Sequence, residues 1–342
     1  MLKNIFSICT ALMLTITIPL LCQGKNLPHS HTKPDFKTWL AAFKKEAVSD
    51  GIPSRLFDIA FTNIVPNPKI IQLDHKQPES TLSLNRYIKR AVSKSRILAG
   101  IILFEKYRDF FMKINRIYGI PPQYLIALWG IESNFGHSTG RFYVIQSLTT
   151  LAFDGRRKDF FRKELIAALH IAASGHVTLK NMTGSWAGAM GQFQFMPSTF
   201  LKFAVDYDGD KRIDIWNNHK DAIASAANYM SSSGWKKDMP WGVEVELPDN
   251  MNSSLLGLAH KKLLSEWQKL GVRCFEKDMN KYPDIKVSII RIDGPQKHFF
   301  AVYDNYRVLL KWNRSHLFAI SVGELADRIA QGLIRNRGTD RF

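Results

Sequence analysis

Hydrophobic positions recur at helical spacing through the first two-thirds of the chain and at strand spacing only in the last third. Phe36, Trp39, Leu40, Phe43 and Ala47 repeat every three to four places behind Asp35, a residue suited to capping, and Gly51-Ile52-Pro53 ends that run. A short helix is predicted next, over Ser54 to Ala60. Val65 to Ser80 holds three prolines and little periodicity, and reads as a loop. Leu84 to Ile117 is helical in composition, with Gly100 as its one glycine. Gly119-Ile120-Pro121-Pro122 then breaks the pattern and opens a helix over Pro122 to Ser133 with proline in its first turn. Helices alternate with glycine-rich turns up to about Gly234.

After Trp241 the period changes. Val243 to Leu247, Val287 to Ile292, Phe299 to Tyr303 and Val308 to Trp312 alternate or run β-branched, as short strands do. A helical Gly257 to Leu270 lies among them, and a final helix, Val322 to Ile334, sets Leu325, Ile329 and Leu333 on one face. The pattern predicts an α+β chain, predominantly helical, with a small β region late in the sequence.

The first residues obey neither period. Ile5 to Leu21 is apolar and uncharged, with Lys3 before it and the small Gly24 after it. Its short length and Pro19 favour a cleaved export signal over a spanning helix. Lipid attachment at Cys22 is the competing reading, disfavoured by the bulky Leu21 before it. Cleavage after Gly24 leaves 342 − 24 = 318 residues and one of three cysteines, Cys274, once Cys9 and Cys22 are removed, so no disulfide scaffold is expected. Lys25 to Pro34 is polar and reads as a flexible lead-in.

Charge changes the picture next. With 47 Lys+Arg against 30 Asp+Glu the balance is +17, or +16 without the leader, and 45% hydrophobic residues exclude global disorder. Such charge ordinarily points to nucleic acid, but export redirects it to a polyanion of the cell envelope. Arg86 to Arg116 holds nine basic residues against Glu105 and Asp109. That run is either a solvated face or a basic wall along a groove for an acidic polymer.

The chemistry gathers around Glu132. It continues the stripe Leu125, Leu128, Trp129 on a helix that is apolar nearly all round, so a carboxyl is delivered to an apolar surface. A carboxyl there is expected to keep its proton toward neutral pH, which suits a general acid; a structural glutamate is the alternative. Gly184 to Thr199 is dense in glycine, aromatics and amides, which offers close backbone approach, apolar platforms and hydrogen-bond partners for a sugar ring. Tight helix packing accounts for the same composition.

Gly-Ile-Glu-Ser-Asn-Phe-Gly at 130–136, Gly155-Arg156-Arg157 with Phe160-Phe161, the block 184–199, Trp312-Asn313-Arg314-Ser315 and Gln77-Pro78-Glu79 together resemble the lytic murein transglycosylase B family, the family 103 glycoside hydrolases. The likeness runs in order through nearly all of the exported chain. It implies a lysozyme-like catalytic core (119–242) with a flanking helical domain (35–118, joined by 321–342) and a small antiparallel β domain (243–320). It also implies non-hydrolytic cleavage of the β-1,4 bond between N-acetylmuramic acid and N-acetylglucosamine, leaving a 1,6-anhydromuramoyl end.

By that resemblance Glu132 is the sole acid and base, protonating the leaving oxygen and then accepting the proton of the muramoyl C6 hydroxyl as it attacks C1. Arg156 and Arg157 match a pair that contacts substrate carboxylates. Ser185, Gln194, Phe195 and Met196 match groove residues, Tyr87 an aromatic near the acid, and Asn313 a groove wall. Phe318 matches a further groove aromatic and stands, without a hydroxyl, where some members carry tyrosine. Asp206, Asp208, Asp210, Arg212 and Asp214 fall at positions 1, 3, 5, 7 and 9 of a calcium-loop pattern, with Asp221 further along, while Lys211 and Asn217 depart from it at positions 6 and 12. No cofactor is required; Ca²⁺ at this loop and a solvated acidic turn both fit.

The resemblance implies a monomer in the periplasm of a Gram-negative bacterium, acting on peptidoglycan glycan strands beside other cell-wall enzymes and not on nucleic acid. A hydrolytic muramidase using Asp154 as second carboxylate, and a non-catalytic wall-binding protein, are the rivals. The histidines show no ligand spacing, and Cys274 is expected to be a packed thiol.

Overall fold

The computed structural model describes residues 35–75, 82–154, 156–274 and 284–339. The export segment, the lead-in, Gln77-Pro78-Glu79 and Gly155 lie outside the described residues.

In chain order, α1 (Phe36–Ser49) starts where Asp35 accepts the Thr38 N–H at 3.1 Å, and buries Phe43 and Ala47. It is followed by α2 (Ser54–Ala60) and α3 (Pro68–His75). The latter corrects the loop expected over Val65 to Ser80. Pro68 takes the first helical position, where its missing N–H is no loss, and Asn67 Oδ1 accepts the Lys69 N–H at 3.0 Å.

The predicted stretch 84–117 is three helices, α4 (Leu84–Ala91), α5 (Lys94–Lys106) and α6 (Arg108–Tyr118). Ser93 starts α5 by accepting the Arg96 N–H at 3.2 Å. The Arg96 guanidinium turns back to donate to the carbonyls of Arg90, at 3.0 Å, and Ala91, at the end of α4. One member of the basic run therefore joins two helices, and Arg108 pairs with Glu105, while Arg86, Lys89, Arg90, Lys94, Lys106, Lys113 and Arg116 are exposed. Then comes α7 (Pro122–Ser133), as predicted.

A two-residue strand β1 (Phe142–Tyr143) leads into α8 (Val144–Asp154) and α9 (Lys158–Ala173). It pairs antiparallel with β2 (Thr183–Gly184), ahead of α10 (Pro197–Phe203) and α11 (His219–Ser232). The last part runs β3 (Gly242–Glu246), β4 (Lys262–Leu263), α12 (Leu264–Lys269), β5 (Arg273–Cys274), β6 (Lys286–Ile292), β7 (His298–Val302), α13 (Asp304–Trp312) and α14 (His316–Thr339).

Two expectations fail here. Val308 to Trp312 is helix, because Val308 and Leu309 share a buried face with Asn305 and Tyr306 at helical spacing. Gly257 to Leu270 is helical only over α12, since Lys262–Leu263 extends to pair with β6.

The chain forms two compact units. The first takes the described parts of Met1–Gln77 with Ser138–Ala222, and the second Pro78–His137 with Ile223–Phe342. These units differ from the division at 118/119 and 242/243 that the resemblance implies, and α11 spans the boundary at 222/223.

Within the first unit α3 packs on α8, and α8 and α10 on α9. Within the second, α5, α7 and α14 pack on one another around Gly100, where an added Cβ would stand 2.8 Å from Ile329 Cδ1 and 3.0 Å from Ile126 Cγ2. The five-stranded antiparallel sheet of that unit has the order β4-β6-β7-β3-β5. One face buries Val245, Val287, Ile289 and Ala301 with Leu264, Trp267 and Val272; Cys274 packs against this cluster, as expected of a thiol in a core. The fold is the predicted class: mainly helical, with a small antiparallel sheet.

Candidate active site

In the second unit the geometry starts at the end of α7, a helix buried on nearly every face, so that Glu132 arrives only 5% exposed. Three consecutive residues after it take positive φ: Asn134 at 50°, Phe135 at 59° and Gly136 at 84°. The turn satisfies itself. Asn134 N–H donates to Gly130 O and Phe135 N–H to Trp129 O, each at 3.1 Å, and Gly136 N–H donates to Ser133 Oγ at 2.9 Å. The Phe135 ring folds back over Gly130, where a Cβ would meet its Cζ at 2.8 Å, and lies edge-on to Trp129 at 5.8 Å. Gly130 is glycine because the ring occupies its side-chain space.

The carboxyl has a partner that the sequence did not reveal. Trp312, half-buried at the end of α13, donates its Nε1–H to Glu132 Oε1 at 2.8 Å. The Tyr229 ring meets Trp312 edge-on at 4.9 Å, and the Tyr229 hydroxyl donates to Lys311 O at 2.8 Å. Burial pushes the Tyr229 phenol up. The one sequence signal for Trp312 is its place at the head of the Trp-Asn-Arg-Ser motif.

Tyr87 in α4 and Asn313 belong to the same unit and are buried. Asn313 Oδ1 accepts the Ser315 N–H at 2.9 Å and so shapes the entry to α14. Phe318 is fully buried in the first turn of α14, which corrects its expected place on a substrate surface: a ring with no exposed area offers no face to a ligand.

The first unit holds the other expected residues. Arg157 Nη2 donates to Asp74 Oδ1 at 2.8 Å; Arg156 Nη1 donates to Asp74 O at 3.2 Å, with its Nε 3.6 Å from Oδ2. Asp74 is 1% exposed, whereas the side chains of Arg156 and Arg157 keep 47% and 23% of their surface. Arg157 also lies over Phe161, 4.7 Å from the ring centroid. Asp74 falls in the stretch whose pattern predicts a loop, and no local signal marks it. Asp154, the rival second carboxylate, faces His75 at 3.7 Å.

The block 184–199 is a set of nested turns. Met190 and Phe195 exchange both backbone bonds at 2.8 and 2.9 Å, and Ser185 Oγ accepts the N–H groups of Ala187 and Ala189 at 3.3 and 3.0 Å. Gln194 takes a positive φ of 51° and its amide donates to Thr139 O at 3.0 Å and Gly191 O at 2.9 Å. Phe195 is buried and Met196 half-buried. Beside this block Glu164 of α9 holds the start of α10, accepting the Ser198 N–H at 2.9 Å and its hydroxyl at 2.7 Å. Burial pushes the Glu164 carboxyl up, and the Ser198 donors oppose that shift.

In the acidic loop, Asp206, Asp208 and Asp210 bring one oxygen each to within 4.8 Å of one another. Asp206 also accepts the N–H groups of Gly209 and Lys211, and Lys211 takes the left-handed turn at φ 70° that glycine would adopt without strain. Asp221 lies beneath the same loop: it is fully buried, its oxygens accept the Tyr207 and Asp214 N–H groups, and burial, with the charges of Asp208 and Asp206, pushes its carboxyl up.

Compared with known proteins, residues 35–327 match the family described as "Transglycosylase SLT domain". The chain is 30% identical over 249 residues to the membrane-bound lytic murein transglycosylase B of Escherichia coli K12, covering 72% of this chain and 67% of that protein. Among solved structures, it is similar to SltB3 of Pseudomonas aeruginosa in complex with NAG-anhNAM-pentapeptide, at 38% identity and TM-score 0.80 over 86% of this chain and 79% of that one. It is similar too to the E. coli lytic transglycosylase Slt35 in complex with calcium, at 26% identity and TM-score 0.75 over 86% and 93% of the two chains.

Proposed function

The chain belongs to the transglycosylase SLT domain family of lytic transglycosylases, and on that footing we propose that Glu132 is its acid and base in cleaving peptidoglycan glycan strands. In this reading Glu132 protonates the oxygen that leaves muramoyl C1. It then takes the proton of the C6 hydroxyl as that oxygen attacks C1, closing the 1,6-anhydro ring. Each proton leaves and returns at one carboxyl, so no second carboxylate is called for. The observation that carries the reading is Glu132 itself: a carboxyl at the end of a buried helix, held by an indole N–H at 2.8 Å beside a self-locking turn.

Arg156 and Arg157, held by Asp74 and still partly exposed, are suited to the lactyl and stem-peptide carboxylates of that polymer. The division that the resemblance implies, with a lysozyme-like core over 119–242, belongs to the same reading. Among the described residues no helix is long and apolar enough to cross a membrane, and the apolar leader supports export to the periplasm.

The acidic loop supports a weak Ca²⁺ site. Asp206, Asp208 and Asp210 with the Arg212 main-chain oxygen would hold the ion, which would stiffen the loop and take no part in the reaction.

Glu132→Gln in the full chain is expected to abolish release of soluble fragments from purified peptidoglycan. Mass spectrometry of the wild-type digest is expected to give muramic ends lighter by one water than hydrolysis would leave. A Glu132→Gln enzyme with wild-type activity, or a digest of reducing ends alone, would overturn the reading.

A further inference from the structure

An indole N–H can only donate, so the oxygen facing it has to accept. Glu132 Oε1 lies 2.8 Å from Trp312 Nε1, and the carbonyl oxygen of a protonated carboxyl is its stronger acceptor. Whenever Glu132 carries a proton, Oε1 is therefore the carbonyl oxygen and the hydrogen sits on Oε2.

The indole is itself held. It sits at the last residue of α13, edge-on to the Tyr229 ring, and the neighbouring Lys311 carbonyl takes the Tyr229 hydroxyl at 2.8 Å. Two contacts at adjacent residues fix the direction of the N–H.

We propose that Trp312 is a positioning residue for Glu132, reserving Oε1 as an acceptor so that Oε2 alone gives and takes the proton; this rests on the acid and base reading of Glu132. In the first step the Oε2–H bond breaks and the proton goes to the glycosidic oxygen, which leaves C1 with the bonding pair. In the second, the C6 oxygen bonds to C1 and its proton returns to Oε2. The indole keeps donating to Oε1 throughout, and its bond strengthens while the carboxylate is charged. A side chain that favours the charged form and the geometry of transfer acts on kcat rather than on binding.

The test is steady-state cleavage of a soluble glycan of defined length by the full chain. Trp312→Phe keeps a ring and removes the donor; kcat is expected to fall about tenfold or more, with KM within twofold of wild type. Site-specific replacement of Trp312 by benzothienylalanine, which keeps the bicycle and lacks the N–H, isolates the donor if the phenylalanine variant folds poorly. A kcat within twofold of wild type for the benzothienyl variant, or a rise in KM with kcat unchanged, would overturn the proposal. Glu132→Gln separates the two readings: if it is inactive while the Trp312 variants keep full kcat, only the positioning role falls, and if it is active the acid and base reading falls first.

Discussion

Adding one methyl group at Gly130 pits helix propensity against packing beside the proposed acid. Alanine in the body of a helix is favoured over glycine by about 1 kcal/mol. At this position the new Cβ would stand 2.8 Å from Phe135 Cζ, 3.0 Å from Cε1 and 3.2 Å from Arg96 Cδ. An ordinary contact starts at about 3.5 Å, so the ring has to retreat by roughly half an ångström or more. It has little room: Phe135 is 8% exposed, its backbone holds a positive φ, and its ring meets Trp129 edge-on.

Overpacking of this kind costs about 1–3 kcal/mol, so the net expectation for Gly130→Ala is a loss of up to about 2 kcal/mol, or several degrees in thermal midpoint. Because Glu132 lies between Gly130 and Phe135 along the chain, at the helix end that the ring packs against, kcat is expected to fall by more than the loss of folded protein accounts for. Phe135→Leu in the Gly130→Ala background should recover part of the stability by making space. Differential scanning calorimetry with steady-state cleavage checks both. A Gly130→Ala protein as stable as wild type and equally active would refute the argument, since it would mean that the ring yields freely and the turn places nothing.

Asp74→Asn removes the charge that holds Arg156 and Arg157 while keeping an oxygen for Arg157; about 1 kcal/mol of stability is expected to go, with KM for peptide-bearing glycan rising several-fold and kcat little changed, and an unchanged KM would separate the pair from substrate binding. Glu164 is pushed up by burial, so the folded state holds its proton to higher pH than the unfolded chain, and that group's contribution to stability falls as pH rises through the window between the two values. In Glu164→Gln that slope is absent, and urea unfolding from about pH 4 to pH 8 should show the variant gaining on wild type as pH rises; a flat difference would count against it. Ca²⁺ is expected to bind at about 10⁻⁴–10⁻³ M, because Asn217 replaces the bidentate carboxylate and Lys211 occupies the glycine turn; calorimetry with no heat at several millimolar would remove the site.

Whatever depends on neighbours three or four places away was legible in the amino-acid sequence. The period of α7, its proline start and the place of Glu132 on its stripe were all readable, because a helix repeats on that scale. So were β3, β6 and β7, whose alternation is equally local. Where a short apolar run fits both periods, as at Val308 to Trp312, local pattern had nothing to choose between, and burial of Asn305, Tyr306, Val308 and Leu309 on one face decided for helix. Pro68 fits a loop as well as a helix start in local pattern, because its helix-starting use depends on where the chain goes next.

Which groups meet was settled by tertiary packing. Trp312 reaches Glu132 across 180 residues, and Asp74 reaches Arg157 across 83, distances over which no periodicity survives. A motif can mark Glu132, Arg156 and Arg157 as candidates. Which oxygen of the carboxyl is held, which charge balances the arginines, and why Phe318 offers no surface follow from packing, because a side chain acquires its hydrogen-bond partners and its exposure only when distant segments close around it.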